Sequence, residues 1–161
     1  MAKKPIHHMD FPTLVEANKE VVLLTRESHE YTQADGEKLE ELLQEVASRA
    51  DNQDFEEAVP EKASLLVFKI ASGQHFHAGN KRTALVAGLV FLNKNGFKIK
   101  INDPDFVSTV DKVGMAAASL DDLNAAMRRL MTKSAVERKG WDNALKQTVE
   151  ANKKFLTDLG S

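Results

Sequence analysis

"NKRTALVAGLVFLNKNG", residues 80–96, is the stretch that decides the fold. Its apolar residues surround most of the circumference of a helix: Ala84, Leu85, Val86, Ala87, Leu89, Val90, Phe91 and Leu92. A helix that is apolar on all sides is buried inside a protein rather than lying on its surface. The Asn95-Gly96 pair is typical of a helix end. The sequence therefore predicts a buried central helix over about residues 80–95, with the remaining elements packed around it.

Helix starts and apolar faces recur before this segment. Asp10, two residues ahead of a proline, predicts a helix that runs to about Glu27. Residues 35–50 place leucine and valine at helical spacing and carboxylates on the opposite side. Residues 50–60 are polar and aperiodic, which predicts a loop or a short hairpin. Pro60 then occupies the position of a first-turn proline, so we expect the next helix to start there.

The pattern continues after the central helix. Residues 97–103 predict a brief extended segment, and Asp103 with the following proline predicts a helix start. Ser119 and Asp122 resemble a capping box, with Asp in the position usually held by Glu or Gln. A last amphipathic helix is predicted over about residues 141–159, either packed on the domain or serving a partner. The fold class is therefore all-α, with about seven helices.

Length and composition limit the choice of function. A chain of 161 residues is long enough for one domain, so we expect a single domain over residues 1–161. The net charge of -2 gives no reason to expect nucleic-acid binding. No cysteine is present, which excludes disulfides and thiolate chemistry. There is neither a membrane-spanning run nor a secretion signal, so we expect a cytoplasmic protein. Composition leaves the oligomeric state open.

The loop before the central helix, "GQHFHAGNKRTAL" (residues 73–85), concentrates polar chemistry. Gly79 permits close backbone approach, while Lys81 and Arg82 place two cations in the first helical turn. Cations at a helix N-terminus oppose the dipole by about 0.3–1 kcal/mol each, and a bound phosphate would offset that cost. The alternative is that Asn80 is an N-cap and the two cations are a solvated edge.

The segment "HFHAGNKRTALVAGLVFLNKNGFKI" resembles the signature of the Fic/Doc family, His-x-Phe-x-Asp/Glu-Ala/Gly-Asn-Gly/Lys-Arg. The flanking stretches "VPEKASLLVFKIASG" and "GMAAASLDDLNAAMRRL" extend the resemblance over about residues 37–131. The "NKRTA" variant is similar to the Doc, or death-on-curing, side of the family. The resemblance implies transfer of a phosphoryl or AMP group (AMPylation) from ATP or another nucleoside triphosphate to a protein hydroxyl.

The phosphate-binding half of that motif is matched. The resemblance makes Gly79, Asn80, Lys81 and Arg82 the nucleotide- and phosphate-binding residues, and Phe76 the core anchor of the loop. Arg offers a bidentate fork to phosphate, Lys a point charge and the backbone a row of N–H groups.

The catalytic half is not matched. The family's general base, a histidine, falls on Gln74, whose amide takes no proton near neutrality. The family's magnesium-binding acid falls on Ala78, which has no ligand atom. Magnesium binding at this position is therefore not expected. His75 and His77 each lie one position from these sites. Two interpretations stay open for these histidines. They either substitute for the missing catalytic residues, or they are an ordinary polar pair that binds no metal.

Two functions therefore remain open at the level of sequence. The chain is either a Doc-like transferase, the toxin of a toxin–antitoxin pair, or a catalytically impaired module that binds a nucleotide or a partner. The self-inhibition motif of some members, a glutamate followed by glycine or asparagine, is absent. The resemblance implies an antitoxin or a target protein as partner. Candidate contact surfaces are the acidic segment from Glu37 to Glu45 and the loop around Phe55, unless these are ordinary solvated faces.

Overall fold

Helices make up most of the protein, which confirms the all-α prediction. A computed structural model describes residues 4–134 and 140–159. In these residues, eight helices and two short strands follow in the order α1 (Phe11–Thr25), α2 (Gln33–Ser48), α3 (Phe55–Gly73), α4 (Asn80–Lys94), β1 (Phe97–Lys98), α5 (Pro104–Gly114), α6 (Leu120–Leu130), β2 (Thr132–Lys133), α7 (Trp141–Ala151) and α8 (Lys153–Asp158). None of the helices in this described part of the chain is long and apolar enough to cross a membrane.

Helix α4 is the buried centre of the fold, as predicted. Its residues from Arg82 to Leu92 are all buried, and it packs against α1, α3, α5 and α7. Helices α3 and α4 approach closely at Gly88, where an added Cβ would lie only 2.5 Å from Val67 Cγ2 on α3. Glycine at this position therefore allows the two helices to come together.

Capping residues fix the helix starts that the sequence predicted. The carboxylate of Asp10 accepts from the backbone N–H of Thr13 at 2.9 Å, and α1 begins at the next residue. Ser119 and Asp122 form a complete capping box at the start of α6. Side-chain oxygens at these positions satisfy backbone donors that have no partner inside the helix.

The prediction of a loop or hairpin over residues 50–60 is wrong in its second half. Helix α3 begins at Phe55, not at Pro60, which lies inside the helix. The acidic side chains of Glu56 and Glu57 suit the positive end of a helix, and Val59 is fully buried. Favourable burial and charge in this turn outweigh the single backbone hydrogen bond that a proline removes.

Two further differences concern the end of the chain. The predicted helix over residues 141–159 is broken at Asn152 into α7 and α8, so the described residues contain eight helices rather than about seven. Strand β1 confirms the brief extended segment, and it pairs antiparallel with β2. Strand β2 is only two residues long, which is too short for an alternating pattern to be recognised.

Helices α7 and α8 pack on the rest of the fold. Leu145 and Leu156 are buried, and α7 lies against α1 and α4 while α8 lies against α1. The ammonium group of Lys94 lies 5.4 Å from the ring centroid of Trp141, a cation–π contact between α4 and α7.

Asn95, which follows α4, binds the N-terminal segment. Its side-chain oxygen accepts from the backbone N–H of His7 at 2.8 Å, and its amide nitrogen donates to the carbonyl of His7 at 3.0 Å. The same nitrogen donates to the carbonyl of Phe91 at 2.8 Å. The side chain is nearly fully buried, so this amide joins residues 88 positions apart.

Candidate functional site

The loop between α3 and α4 is turned by a left-handed residue at each end. Gln74, which ends α3, has a φ of 53°, and Gly79, which precedes α4, has a φ of 75°. An added Cβ at Gly79 would lie 3.0 Å from Val22 Cγ1 on α1. Glycine therefore serves here both for its backbone conformation and for the close approach to α1.

Asn80 holds this loop in shape. Its side-chain oxygen accepts from the backbone N–H of Phe76 at 3.1 Å, and its amide nitrogen donates to the carbonyl of Phe76 at 2.9 Å. Phe76 itself is buried, as its role as the core anchor requires. The alternative that Asn80 is the N-cap of α4 is wrong, because Gly79 is the N-cap and Asn80 is the first helical residue.

A cavity of about 220 Å³ lies at the N-terminus of α4. Its lining is Glu27, Gln74, His77, Ala78, Gly79, Asn80, Lys81 and Arg82. No side chain in the described residues caps α4. The cavity thus combines the four residues of the predicted anion site with the positive end of a helix dipole.

Both cations of the loop are already paired within the chain. The ammonium group of Lys81 donates to the carboxylate of Asp111 on α5 at 2.5 Å. Arg82 Nε donates to the carbonyl of Leu156 on α8 at 2.6 Å, and Nη2 donates to the carbonyl of Leu159. The carboxylate of Asp111 offsets the charge of Lys81, whereas the two carbonyls occupy donors of Arg82 without neutralising its charge.

A second cavity of about 220 Å³ adjoins the first. Its lining is Ala71, Gln74, Lys81, Val110, Asp111, Gly114 and Met115. Gln74 and Lys81 line both cavities, so these two side chains form the boundary between them. The walls supplied by Ala71, Val110 and Met115 are apolar.

The two unmatched positions lie at the end of α3 (Gln74) and in the loop before α4 (Ala78). The side-chain amide of Gln74 donates to the carbonyl of Ala71 at 2.7 Å and accepts from Asn80 Nδ2 at 3.4 Å. Ala78 lines the cavity at the start of α4 but offers only a methyl group. Within residues 4–134 and 140–159 there is no group of three or more His, Asp or Glu side chains placed to hold a metal ion. The residues around Ala78 therefore do not fit the family's magnesium ion.

His75 and His77 differ in their contacts. His75 Nδ1 is 3.1 Å from the carboxylate of Asp35, and hydrogen bonding to that imidazole lowers the pKa of Asp35. The backbone N–H of His77 donates to the carbonyl of Glu30 at 2.8 Å, while its side chain is exposed. Both histidines line a cavity of about 580 Å³ with Glu30, Tyr31, Thr32, Asp35, Gln74 and Phe76.

The orientation of His75 limits its use as a base. An added Cβ at Gly73 would lie 2.5 Å from His75 Nε2, so the second ring nitrogen packs against the backbone of Gly73. His75 does not line the cavity at the start of α4, whereas His77 does. The structure therefore brings His77, but not His75, to the cavity that contains Ala78.

Sequence reasoning missed the residues that contact the loop from elsewhere. Glu27, Asp35 and Asp111 come from other helices or loops, and no local pattern marks them. Asn18 could have been noticed, since it is a lone amide on the buried face of α1. Its side chain donates to the carbonyl of Ala78 at 2.8 Å.

These features define a helical protein in which a short loop with a cavity beside it precedes a buried central helix. A sequence model described as the Fic/DOC family matches residues 6–92, which is more than half of the chain. The chain therefore belongs to the Fic/Doc family. The match includes the whole loop and most of α4, and it ends before α5. No curated protein matches the chain in sequence.

Proposed function

We propose that the chain is a Fic/Doc-family protein that binds a nucleotide without carrying out the family's transfer reaction. The observation that carries this proposal is the pair of adjoining cavities that share Gln74 and Lys81. One cavity lies at a helix N-terminus with two cations, and the other has apolar walls. A ligand with an anionic end and a flat apolar end suits this pair, and a nucleotide has both.

In this proposal the phosphates occupy the cavity at the start of α4. The backbone N–H groups of the first turn point to that end of the helix, and Lys81 reaches it from the boundary of the two cavities. Asp111 is the present partner of Lys81, so a phosphate oxygen would take the place of one carboxylate oxygen. The base would lie against Val110 and Met115, with the amide of Gln74 at its edge.

The family's transfer reaction is absent because Gln74 and Ala78 cannot supply its base and its metal ligand. Gln74 stands where the family has a histidine base, and an amide accepts no proton near neutral pH. Both ends of that amide are hydrogen-bonded within the chain. Glu27 supplies the carboxylate in the lining of this cavity. It faces Arg82 Nη1 at 3.9 Å and has no second acid beside it in that lining with which to bind a metal ion. Neither the base nor the metal ligand of the family reaction is provided by these residues.

Calorimetric titration with ADP tests nucleotide binding. We expect Lys81→Met to weaken ADP binding by about tenfold, since a charge-assisted hydrogen bond is lost. Lys112→Met is the matched control, because Lys112 is an exposed lysine near the same site and lines neither cavity. The affinity should not depend on magnesium. No binding by the parent chain, or an equal loss in both variants, would exclude this function.

A second candidate is a Doc-like transferase acting as a toxin, and one observation favours it. The contact of 3.1 Å between His75 Nδ1 and Asp35 resembles the orienting pair behind a general base. Transfer of radiolabel from ATP to proteins of a cell extract would test it, together with growth arrest on expression. Under this candidate, His75→Ala or His77→Ala abolishes labelling.

The restored variant Gln74→His with Ala78→Asp separates the two candidates. If the nucleotide-binding proposal is right, the parent transfers no label, and restoration yields magnesium-dependent labelling. If the transferase candidate is right, the parent already labels its target. Growth arrest by the parent chain, relieved by a co-expressed small protein, would support the antitoxin partner that the resemblance implies.

A further inference from the structure

The carboxylate of Asp111 on α5 is hydrogen-bonded at one oxygen. Its Oδ1 accepts from the ammonium group of Lys81 at 2.5 Å. In the described part of the chain, no other side chain donates to this carboxylate, so Oδ2 is available to a ligand. Asp111 lines the cavity with apolar walls, and 47 % of its side chain is exposed. The cavity assigned to the base therefore contains a charged acceptor that a ligand can reach.

Gln74, the other polar side chain beside this cavity, does not choose between the purine bases. Its amide nitrogen donates to the carbonyl of Ala71 at 2.7 Å, and its oxygen accepts from Asn80 at 3.4 Å. An amide both donates and accepts, so what remains of its bonding capacity suits the edge of either purine. A carboxylate only accepts, and its hydrogen bonds are charge-assisted. Asp111 is therefore the side chain that can select a base.

Phosphate binding leaves Asp111 in need of a donor. Lys81 lines both cavities, and in the proposed function it turns from the Asp111 carboxylate to a phosphate oxygen. Asp111 then loses the one side-chain donor that it has among the described residues. A carboxylate that gives up a charge-assisted hydrogen bond is stabilised when a ligand replaces the donor. A base that enters beside Asp111 is thus favoured if it carries N–H groups on the facing edge.

Guanine has the edge that fits a carboxylate. Its N1–H and its 2-amino group point the same way, so they donate to the two oxygens of one carboxylate, as the fork of an arginine does. Adenine has an unprotonated N1 beside its 6-amino group, so a lone pair would face one carboxylate oxygen. We propose that Asp111 makes the site selective for guanine nucleotides. This selectivity rests on the proposed function, since it concerns the base of a nucleotide in the same two cavities.

Calorimetric titration of the unaltered chain with GDP, IDP and ADP tests the selectivity. The base of IDP keeps N1–H but lacks the 2-amino group of guanine. We expect ADP to bind about tenfold more weakly than GDP, because a bidentate contact to a base edge discriminates by at least about this amount, and IDP to lie between them. ADP still binds, because it has the same phosphates. Equal affinities for GDP and ADP would overturn the selectivity and leave nucleotide binding intact.

The variant Asp111→Asn tests whether this side chain is the cause. Losing the charge beside Lys81 alters the binding of any diphosphate alike, so the measurement is the ratio of GDP affinity to ADP affinity. We expect this ratio to fall about tenfold, because an amide places a donor where guanine also has one. Asp105→Asn is the matched control and should keep the ratio, since Asp105 is an exposed carboxylate of α5 that lines neither cavity.

The remaining outcomes separate this inference from the proposed function. An unchanged ratio in Asp111→Asn, with circular dichroism showing a folded chain, would overturn the role of Asp111. Should the variant not fold, the order of GDP, IDP and ADP on the unaltered chain still decides the selectivity. Absence of binding of all three diphosphates to the unaltered chain overturns the proposed function itself, and the selectivity with it.

Discussion

Asn18 on α1 donates its side-chain amide to the hydroxyl of Thr83 on α4 at 3.1 Å, and both residues are fully buried. The same nitrogen donates to the carbonyl of Ala78 at 2.8 Å, and the amide oxygen lies 2.8 Å from His29 Nδ1. One amide therefore joins α1, the loop before α4 and the segment after α1.

The first prediction concerns that amide. Asn18→Ala removes the donor of the Ala78 carbonyl, and a buried polar group left without a partner costs about 1–3 kcal/mol of unfolding free energy. Urea denaturation followed by circular dichroism measures the loss. Lys19→Ala, at the exposed neighbouring position, should stay within about 0.5 kcal/mol of the parent. Equal stabilities of the two variants would contradict the role given to Asn18.

The second prediction compares two glycines. Gly79 has a φ of 75° and lies close to Val22, so Gly79→Ala should destabilise the fold by at least about 1–2 kcal/mol. Gly140 has a φ of -61°, and no atom of the described residues lies within 4 Å of its Cβ position. Gly140→Ala should therefore change stability by only about 0.5 kcal/mol. Thermal unfolding of both variants measures the difference, and a costlier change at Gly140 would refute this account of the loop.

The third prediction concerns a buried lysine. Lys62 has no exposed surface, and its ammonium group donates to the carbonyl of Ala47 at 2.5 Å and to Asp51 at 2.8 Å. Lys62→Met keeps the aliphatic stem but leaves the end of α2 without this donor, at a cost of about 1–3 kcal/mol.

Its matched control is Lys69→Met. Lys69 pairs with Glu45 at 3.3 Å on the surface of the same two helices, and an exposed pair contributes at most about 1 kcal/mol. Guanidinium denaturation measures the loss of unfolding free energy in Lys62→Met and in Lys69→Met. A larger loss for Lys69→Met than for Lys62→Met would show that the buried ammonium group does not stabilise the end of α2.

The fourth prediction concerns pH. Burial lowers the pKa of His29 below the 6.5 of a free histidine, so the unfolded chain takes up its proton first as pH falls. The stability associated with neutral His29 is complete above pH 6.5 and is lost as pH falls from 6.5 towards the lowered pKa. The free energy of unfolding should therefore decrease between about pH 7.5 and about pH 5.5.

Substitution identifies the source of this pH dependence. His29→Asn should make the free energy of unfolding depend less on pH. His8→Asn should reduce the pH dependence by a separate amount, because burial and Lys62 lower the pKa of His8 as well. His77→Asn changes an exposed imidazole that lines the candidate site. If His77→Asn flattens the stability profile more than His29→Asn does, the assignment to His29 is wrong.

The features that the sequence predicted correctly are local. The burial of α4 follows from consecutive apolar residues, and the start of α1 follows from Asp10 and the proline after Phe11. Pro60 misled the prediction because a proline in the first turn and one in the sixth position of a helix have the same local sequence features. The burial of Ala58 and Val59 makes the turn before Pro60 helical, and burial depends on the other helices.

The candidate site was predictable only in its own segment. Of the residues that the motif marks, Gln74 and those from His77 to Arg82 line one cavity, with Asn80, Lys81 and Arg82 in the first turn of α4. The acceptors of Lys81 and Arg82 lie 30 and 74 positions away in sequence, on helices whose packing decides the contact. Because these acceptors are distant in sequence, the local motif predicted that Lys81 and Arg82 are free to bind an anion. In the fold both side chains already have hydrogen-bond partners.

The amide of Asn95 has a consequence for how the chain folds. It joins His7 to a residue made 88 positions later. During synthesis these hydrogen bonds cannot form until Asn95 leaves the ribosome, and contacts over such sequence distances form slowly. The pairing of His7 with Asn95 is therefore a late step of folding, which follows the synthesis of the whole of α4.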